Sequence, residues 1–159
     1  MRPSQYGFTL VQLVCCIAVL AVLSAFAVPR FASMDQQARI SAVETFAGTL
    51  NATADEVRSL CRTSASTSGC SLESASWQGT IDGKRYWLNY GWPHSGDELG
   101  TRQVDALIDS SGLHAAALGP SATRFVRSDA PAPDRCSVTY YGAGGPPEHY
   151  QLVTNVSGC

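Results

Sequence analysis

Between Gln5 and Val28 the chain carries no charged side chain, and this stretch restricts its fold more than any other feature. Within it, Phe8 to Val28 (FTLVQLVCCIAVLAVLSAFAV) is an almost unbroken apolar run. About 21 residues rising about 1.5 Å each cross the ~30 Å hydrocarbon core of a bilayer. A helix that is apolar all round is stable only in lipid or against other apolar surface, including copies of itself. A secretory signal peptide is the first rival, and Ser24-Ala25-Phe26-Ala27 mimics its cleavage site. That class has an apolar stretch of about 7–15 residues. The run here is longer, follows directly on Arg2 and Gly7, and continues as helix beyond its apolar end.

From Gln36 onward the apolar positions Val43, Phe46, Ala47, Leu50, Ala54, Val57 and Cys61 recur at helical spacing, with Glu44, Asn51, Asp55 and Arg58 on the other face. The pattern predicts one helix from about Phe8 to about Leu60, on the order of 80 Å long. Pro29 lies at the junction, where it removes a backbone donor and is expected to kink the helix. Residues 8–28 then form a membrane or assembly segment, and residues 29–60 an amphipathic continuation that offers one stripe to a head.

The head, residues 61–159, reads as β-rich. Thr63 through Ser76 is Ser-, Thr- and Gly-rich and loop-like. Ala75–Ile81 and Lys84–Tyr90 flank Asp82-Gly83, a strong hairpin signal, with Trp77, Ile81, Tyr86, Leu88 and Tyr90 as alternating bulky side chains. Val104–Ile108 reads as a short helix or turn. Arg124–Arg127, Cys136–Tyr141 and His149–Val156 read as strands, the last two joined by Gly142–Glu148. The expected fold class is α+β: a long N-terminal helix packed on one small antiparallel sheet of four or five strands, with the stripe from Val43 to Val57 covering one face.

Composition restricts function. A net charge of −2 and a pI of about 5.8 give no basic field for nucleic acid. Cys61, Cys70, Cys136 and Cys159 lie in the polar part and suggest two disulfides formed in an oxidising compartment, with no zinc-ligand spacing among them. Cys15 and Cys16 fall inside the apolar run and read as thiols packed in lipid or against neighbouring helices. No catalytic constellation is evident, so an enzyme is not expected. His94, His114 and His149 are dispersed, and Asp109-Ser110-Ser111-Gly112 reads as a turn. Asp97, Glu98, Asp105 and Asp109 are a weak calcium set without a loop motif; no other metal or cofactor is expected. Gly142–Pro147 lacks the lysine and following helix of a phosphate loop. Asn51-Ala52-Thr53 and Asn155-Val156-Ser157 match the N-glycosylation acceptor pattern.

The segment Gly7-Phe8-Thr9-Leu10-Val11-Gln12-Leu13 resembles the processing site of the type IV pilin family, whose prepilins end a short leader in Gly before Phe-Thr-Leu-x-Glu-Leu. Pro29 falls where that family has its helix-kinking proline. Pro29-Arg30-Phe31 through Asp35, Ala38-Arg39-Ile40-Ser41 with Gly48, and Tyr90-Gly91-Trp92-Pro93 are similar to the mannose-sensitive haemagglutinin (MSHA-type) branch. The resemblance implies a leader of residues 1–7, cut between Gly7 and Phe8 by a membrane prepilin peptidase, and N-methylation of Phe8. It implies a subunit held in the inner membrane with its head in the periplasm. Assembly machinery would then extrude it with other pilin subunits into a surface filament for adhesion to an unknown receptor. In a bacterial subunit of that kind the two acceptor tripeptides read as chance matches.

One position departs from the family. Gln12 stands where the family has a glutamate that pairs with the N-terminal amine of a neighbouring subunit during assembly. Thr9 and Gln12 are the expected docking residues, and the missing charge leaves a weaker pull on that amine. Major and minor subunit therefore both remain open. The resemblance also implies a cystine-bounded C-terminal loop, Cys136–Cys159, beside a Cys61–Cys70 bridge at the helix end. Cys61–Cys136 with Cys70–Cys159 is the alternative. The chain-entropy model assigns the first pair of bridges roughly 3.5 and 3 kcal/mol. Two other functions fit less of the sequence: a type II secretion pseudopilin, which calcium would favour, and a bitopic membrane protein with a ligand-binding periplasmic head.

Overall fold

The structure, a computed structural model, describes residues 9–63, 70–73, 77–81, 83–96, 103–110, 112–144 and 149–159. Gly7 and Phe8 of the expected cleavage site, Asp82, and Asp97 and Glu98 of the calcium set lie outside them, as do the side chains of Pro29 and Trp77. The chain divides into two compact units, residues 1–38 and 39–159.

One helix, α1, runs Leu10–Thr63. Thr9 is its N-cap: the Gln12 N–H donates to Thr9 Oγ1 (3.3 Å) and the Thr9 N–H donates to Gln12 Oε1 (3.1 Å). This reciprocal capping box satisfies two of the donors that every helix start leaves open. The helix passes through position 29 without ending. At the far end it extends three residues past the expected Leu60, which places Cys61 in its last turn rather than beyond it.

In the first unit Leu10–Ala27 is long and apolar enough to cross a membrane, with a mean hydropathy of 2.6. Its side chains are exposed all round the helix: Leu10, Val14, Leu20 and Phe26 alike. Ser24 Oγ donates to the Leu20 carbonyl (2.6 Å), so the one hydroxyl deep in this run is satisfied within the helix.

In the second unit Val43, Phe46, Leu50, Ala54 and Val57 of the expected stripe are buried, and Ala47 and Cys61 are half-buried. Instead of one sheet the stripe meets two. β1 (Trp77–Ile81), β2 (Lys84–Asn89) and β3 (Trp92–Pro93) form an antiparallel sheet in that order. β4 (His114–Ala117), β5 (Ala122–Val126), β6 (Ser137–Tyr141) and β7 (Gln151–Asn155) form a second, also in chain order and antiparallel. Val43 to Ala54 join Phe125, Val138 and Tyr140 of the second sheet in the main core, with Phe46 and Phe125 rings 4.9 Å apart. Val57 joins Tyr86 and Leu88 of the first sheet in a smaller cluster against Cys61 and Cys70. Each fully buried Leu or Val contributes about 1.5–3 kcal/mol of burial, so the stripe is the main bond between helix and sheets.

The sheets separate because β3 is two residues long and one of them, Pro93, has no N–H to extend a ladder. Both connections in the first sheet are two-residue turns: Ile81 pairs with Lys84, and Asn89 with Trp92. In the second of these, Tyr90 (φ 51°) and Gly91 (φ 80°) are both left-handed, as a type I′ turn requires. A tyrosine is unusual there, and holding it costs on the order of 1–3 kcal/mol. The segment expected as a short helix or turn contains a 3₁₀ turn, Val104–Ala106.

Candidate functional site

The residues expected to act in assembly lie at the start of α1. Thr9 and Gln12 are brought together, and what joins them is the cap. The Gln12 carbonyl oxygen, the atom available to a neighbouring amine, already accepts a hydrogen bond from its own chain. The signal was present in the sequence as Thr-x-x-Gln directly before an apolar run. One turn further on, Cys15 and Cys16 are exposed free thiols that flank a shallow apolar groove with Val19 and Leu20.

The polar cysteines pair as Cys61–Cys70 and Cys136–Cys159, with Cα atoms 5.4 and 4.8 Å apart. The alternative pairing is thereby excluded. Cys136 and Cys159 lie in the main core, so this bridge closes the ends of β6 and β7 over the sheet. Arg39 approaches it from the helix: its Nη1 donates to the Cys159 carbonyl (3.3 Å) and its Nε lies 3.6 Å from Asp129. Asp129 is also held by Arg127, at 2.7 Å, and that hydrogen bond keeps its carboxyl below the usual range. The Arg39 contacts, which no motif announces, tie the helix to the C-terminal loop.

An aromatic cluster ties the same helix to both sheets. The Arg58 guanidinium sits 4.2 Å from the centre of the Trp92 ring, and burial lowers its pKa. Trp92 packs edge-on to Tyr150 (4.7 Å) and His149 (5.5 Å), and Tyr150 stacks on Tyr140 (5.2 Å). The Tyr140 hydroxyl donates to the Pro93 carbonyl (2.7 Å), bridging the two sheets. The Tyr150 hydroxyl donates to Asn51 Oδ1 (2.6 Å). Burial first, and the Asp55 carboxylate second, push Tyr150 up to about 12. Burial raises Tyr140 well above its ordinary value. Tyr90-Gly91-Trp92-Pro93 is thus a packing device: its turn delivers Trp92 and the Pro93 carbonyl to the cluster.

A cleft of ≈ 260 Å³ opens where the sheets meet, lined by Asn89, Tyr90, His94, Ser95, Pro120, Ser121 and Gly142–Gly144. Within it the Gly142 N–H donates to Ser95 Oγ (2.9 Å) and to the Ser121 carbonyl (3.0 Å). Of the three histidines, His94 is buried here in a loop, while His114 and His149 are exposed. Asp105 and Asp109 are the described half of the calcium set; among the described residues no three His, Cys, Asp or Glu side chains gather to hold a metal.

Comparison with protein-family models, with curated proteins and with solved structures gives no match.

Proposed function

We propose that the chain is a subunit of a type IV pilus, made as a prepilin. It is cut between Gly7 and Phe8, methylated on Phe8, and assembled through residues 8–28 into a surface filament used for attachment. The observation that carries this reading is α1. One uninterrupted helix is apolar on every face over Leu10–Ala27 and then narrows to a single buried stripe under two disulfide-pinned sheets. That arrangement supports a subunit whose exposed apolar helix is reburied against equivalent helices.

In this reading Gln12 caps its own helix, and an incoming Phe8 amine competes with the Thr9 N–H for its oxygen. Partners are other pilin subunits, a prepilin peptidase, the inner-membrane assembly machinery and a surface receptor. No catalytic role is assigned. Mass spectrometry of sheared surface filaments tests the proposal. It expects this chain among the filament proteins, starting at N-methylated Phe8. A mature, functional membrane protein that still carries Met1 would overturn it.

A further inference from the structure

Two tripeptides match the N-glycosylation acceptor pattern, and the structure separates them. Asn51 lies in the middle of α1, and its Oδ1 accepts from the Tyr150 hydroxyl. Residues i and i+2 of a helix point to different faces, so Asn51 cannot present its carboxamide together with the Thr53 hydroxyl. Asn155 is different. It is the exposed last residue of β7, the outer strand of its sheet. The chain turns back on it: the Ser157 N–H and the Ser157 hydroxyl both donate to Asn155 Oδ1, at 3.1 and 2.8 Å. This Asx-turn sets the acceptor carboxamide and its partner hydroxyl side by side. Both donors sit on Oδ1, so Nδ2 is the end of the carboxamide left to react.

We propose that Asn155 is an N-glycosylation site. Its substrate class is a polyprenyl-phosphate-linked oligosaccharide, delivered by a membrane oligosaccharyltransferase. In the transfer, Nδ2 forms a bond to the sugar's anomeric carbon. The bond from that carbon to the donor phosphate oxygen breaks, the phosphate leaves with the electron pair, and a base of the transferase takes one Nδ2 proton. The folded head has room for the product because Asn155 is exposed. The following residues hold the turn in place. Gly158 donates to the Arg135 carbonyl (2.9 Å) and accepts from the Ala132 N–H (3.1 Å), and Cys159 is in its cystine. Transfer takes place on the folded head, whose turn already presents the tripeptide at an exposed strand end. The inference rests on export of the head, which the disulfides support, and not on filament assembly.

The test is peptide mass spectrometry of the full chain purified from its own cells. Sugar mass is expected on Asn155 in most copies. Asn155→Gln and Ser157→Ala each lose it completely, whereas Ser157→Thr and Asn51→Gln keep it. Non-reduced masses confirm that Cys136–Cys159 closes in each variant, so a lost sugar is not read from a misfolded chain. A bare Asn155 in the wild-type chain, or sugar retained in Asn155→Gln, overturns the proposal. Neither result bears on the processing of Phe8.

Discussion

Gln12 shows how one side chain can hold two offices. As the third helical residue it closes the cap with Thr9, and in the function proposed above it is also, as the fifth residue after Gly7, the position a neighbour's amine would approach. A glutamate would keep the cap and add charge. Gln12→Glu is therefore expected to raise the amount of this chain in sheared filaments several-fold while leaving the unfolding midpoint of the head unchanged. Quantitative immunoblotting against membrane-retained subunit measures the first, and circular dichroism the second. Tyr150 carries a pH signature. Its hydroxyl is pushed up to about 12, against about 10 in an unfolded chain. The folded state holds the proton more tightly, so its stability is intact below about pH 10 and falls as pH climbs toward about 12. Tyr150→Phe should flatten that fall in alkaline denaturant titrations, leaving only the part that belongs to buried Tyr140. The Tyr90-Gly91-Trp92-Pro93 string was legible as a motif. That it delivers Trp92 to Arg58 was not, because a contact 34 residues apart in sequence leaves no local trace.

At the scale of elements, α1 was almost wholly readable. Its period of 3.6 names Val43, Phe46, Ala47, Leu50, Ala54 and Val57, of which five are buried and Ala47 half-buried. Leu50→Ala should destabilise the head by about 2–5 kcal/mol. Leu13→Ala, on the exposed apolar turn, should leave head unfolding unchanged and weaken retention in the membrane. Denaturant unfolding of the detergent-solubilised chain and membrane fractionation distinguish the two. The hairpin of β1 and β2 followed from Asp82-Gly83. The strands that escaped are β4 and β3. β4 is His-Ala-Ala-Ala, exposed on both faces, with neither alternation nor branched side chains to mark it. β3 is two residues long and contains a proline. With those two unseen, a single sheet was the simplest sum of the visible strands, and the structure has two.

For the whole molecule, the head depends on connections that run outward from one helix. The Cys136–Cys159 cystine closes the end of the second sheet, and Arg39 reaches it from α1. Replacing both cysteines with serine should cost roughly 3.5 kcal/mol on the chain-entropy model. The paired change at Cys61 and Cys70 should cost about 3 kcal/mol and act mainly on the smaller cluster around Val57, Tyr86 and Leu88. Thermal unfolding of the double variants checks both. If each cystine serves mainly its own sheet, amide exchange should quicken in β5 to β7 for the first and in β1 to β3 for the second.

The continuity of α1 also has a mechanical meaning. A pull on the head enters α1, which runs from Leu10 to Thr63. From residue 39 on, the helix is held by its buried stripe, by Arg39 and Arg58, and by the Cys61–Cys70 bridge. The extensible part is therefore Leu10–Ala38, whose backbone hydrogen bonds lie in series with the load. Drawing those turns from about 1.5 to about 3.4 Å per residue would lengthen each copy by about 55 Å. Under load, the end held by these contacts is expected to keep its helix after Leu10–Ala38 has begun to unwind.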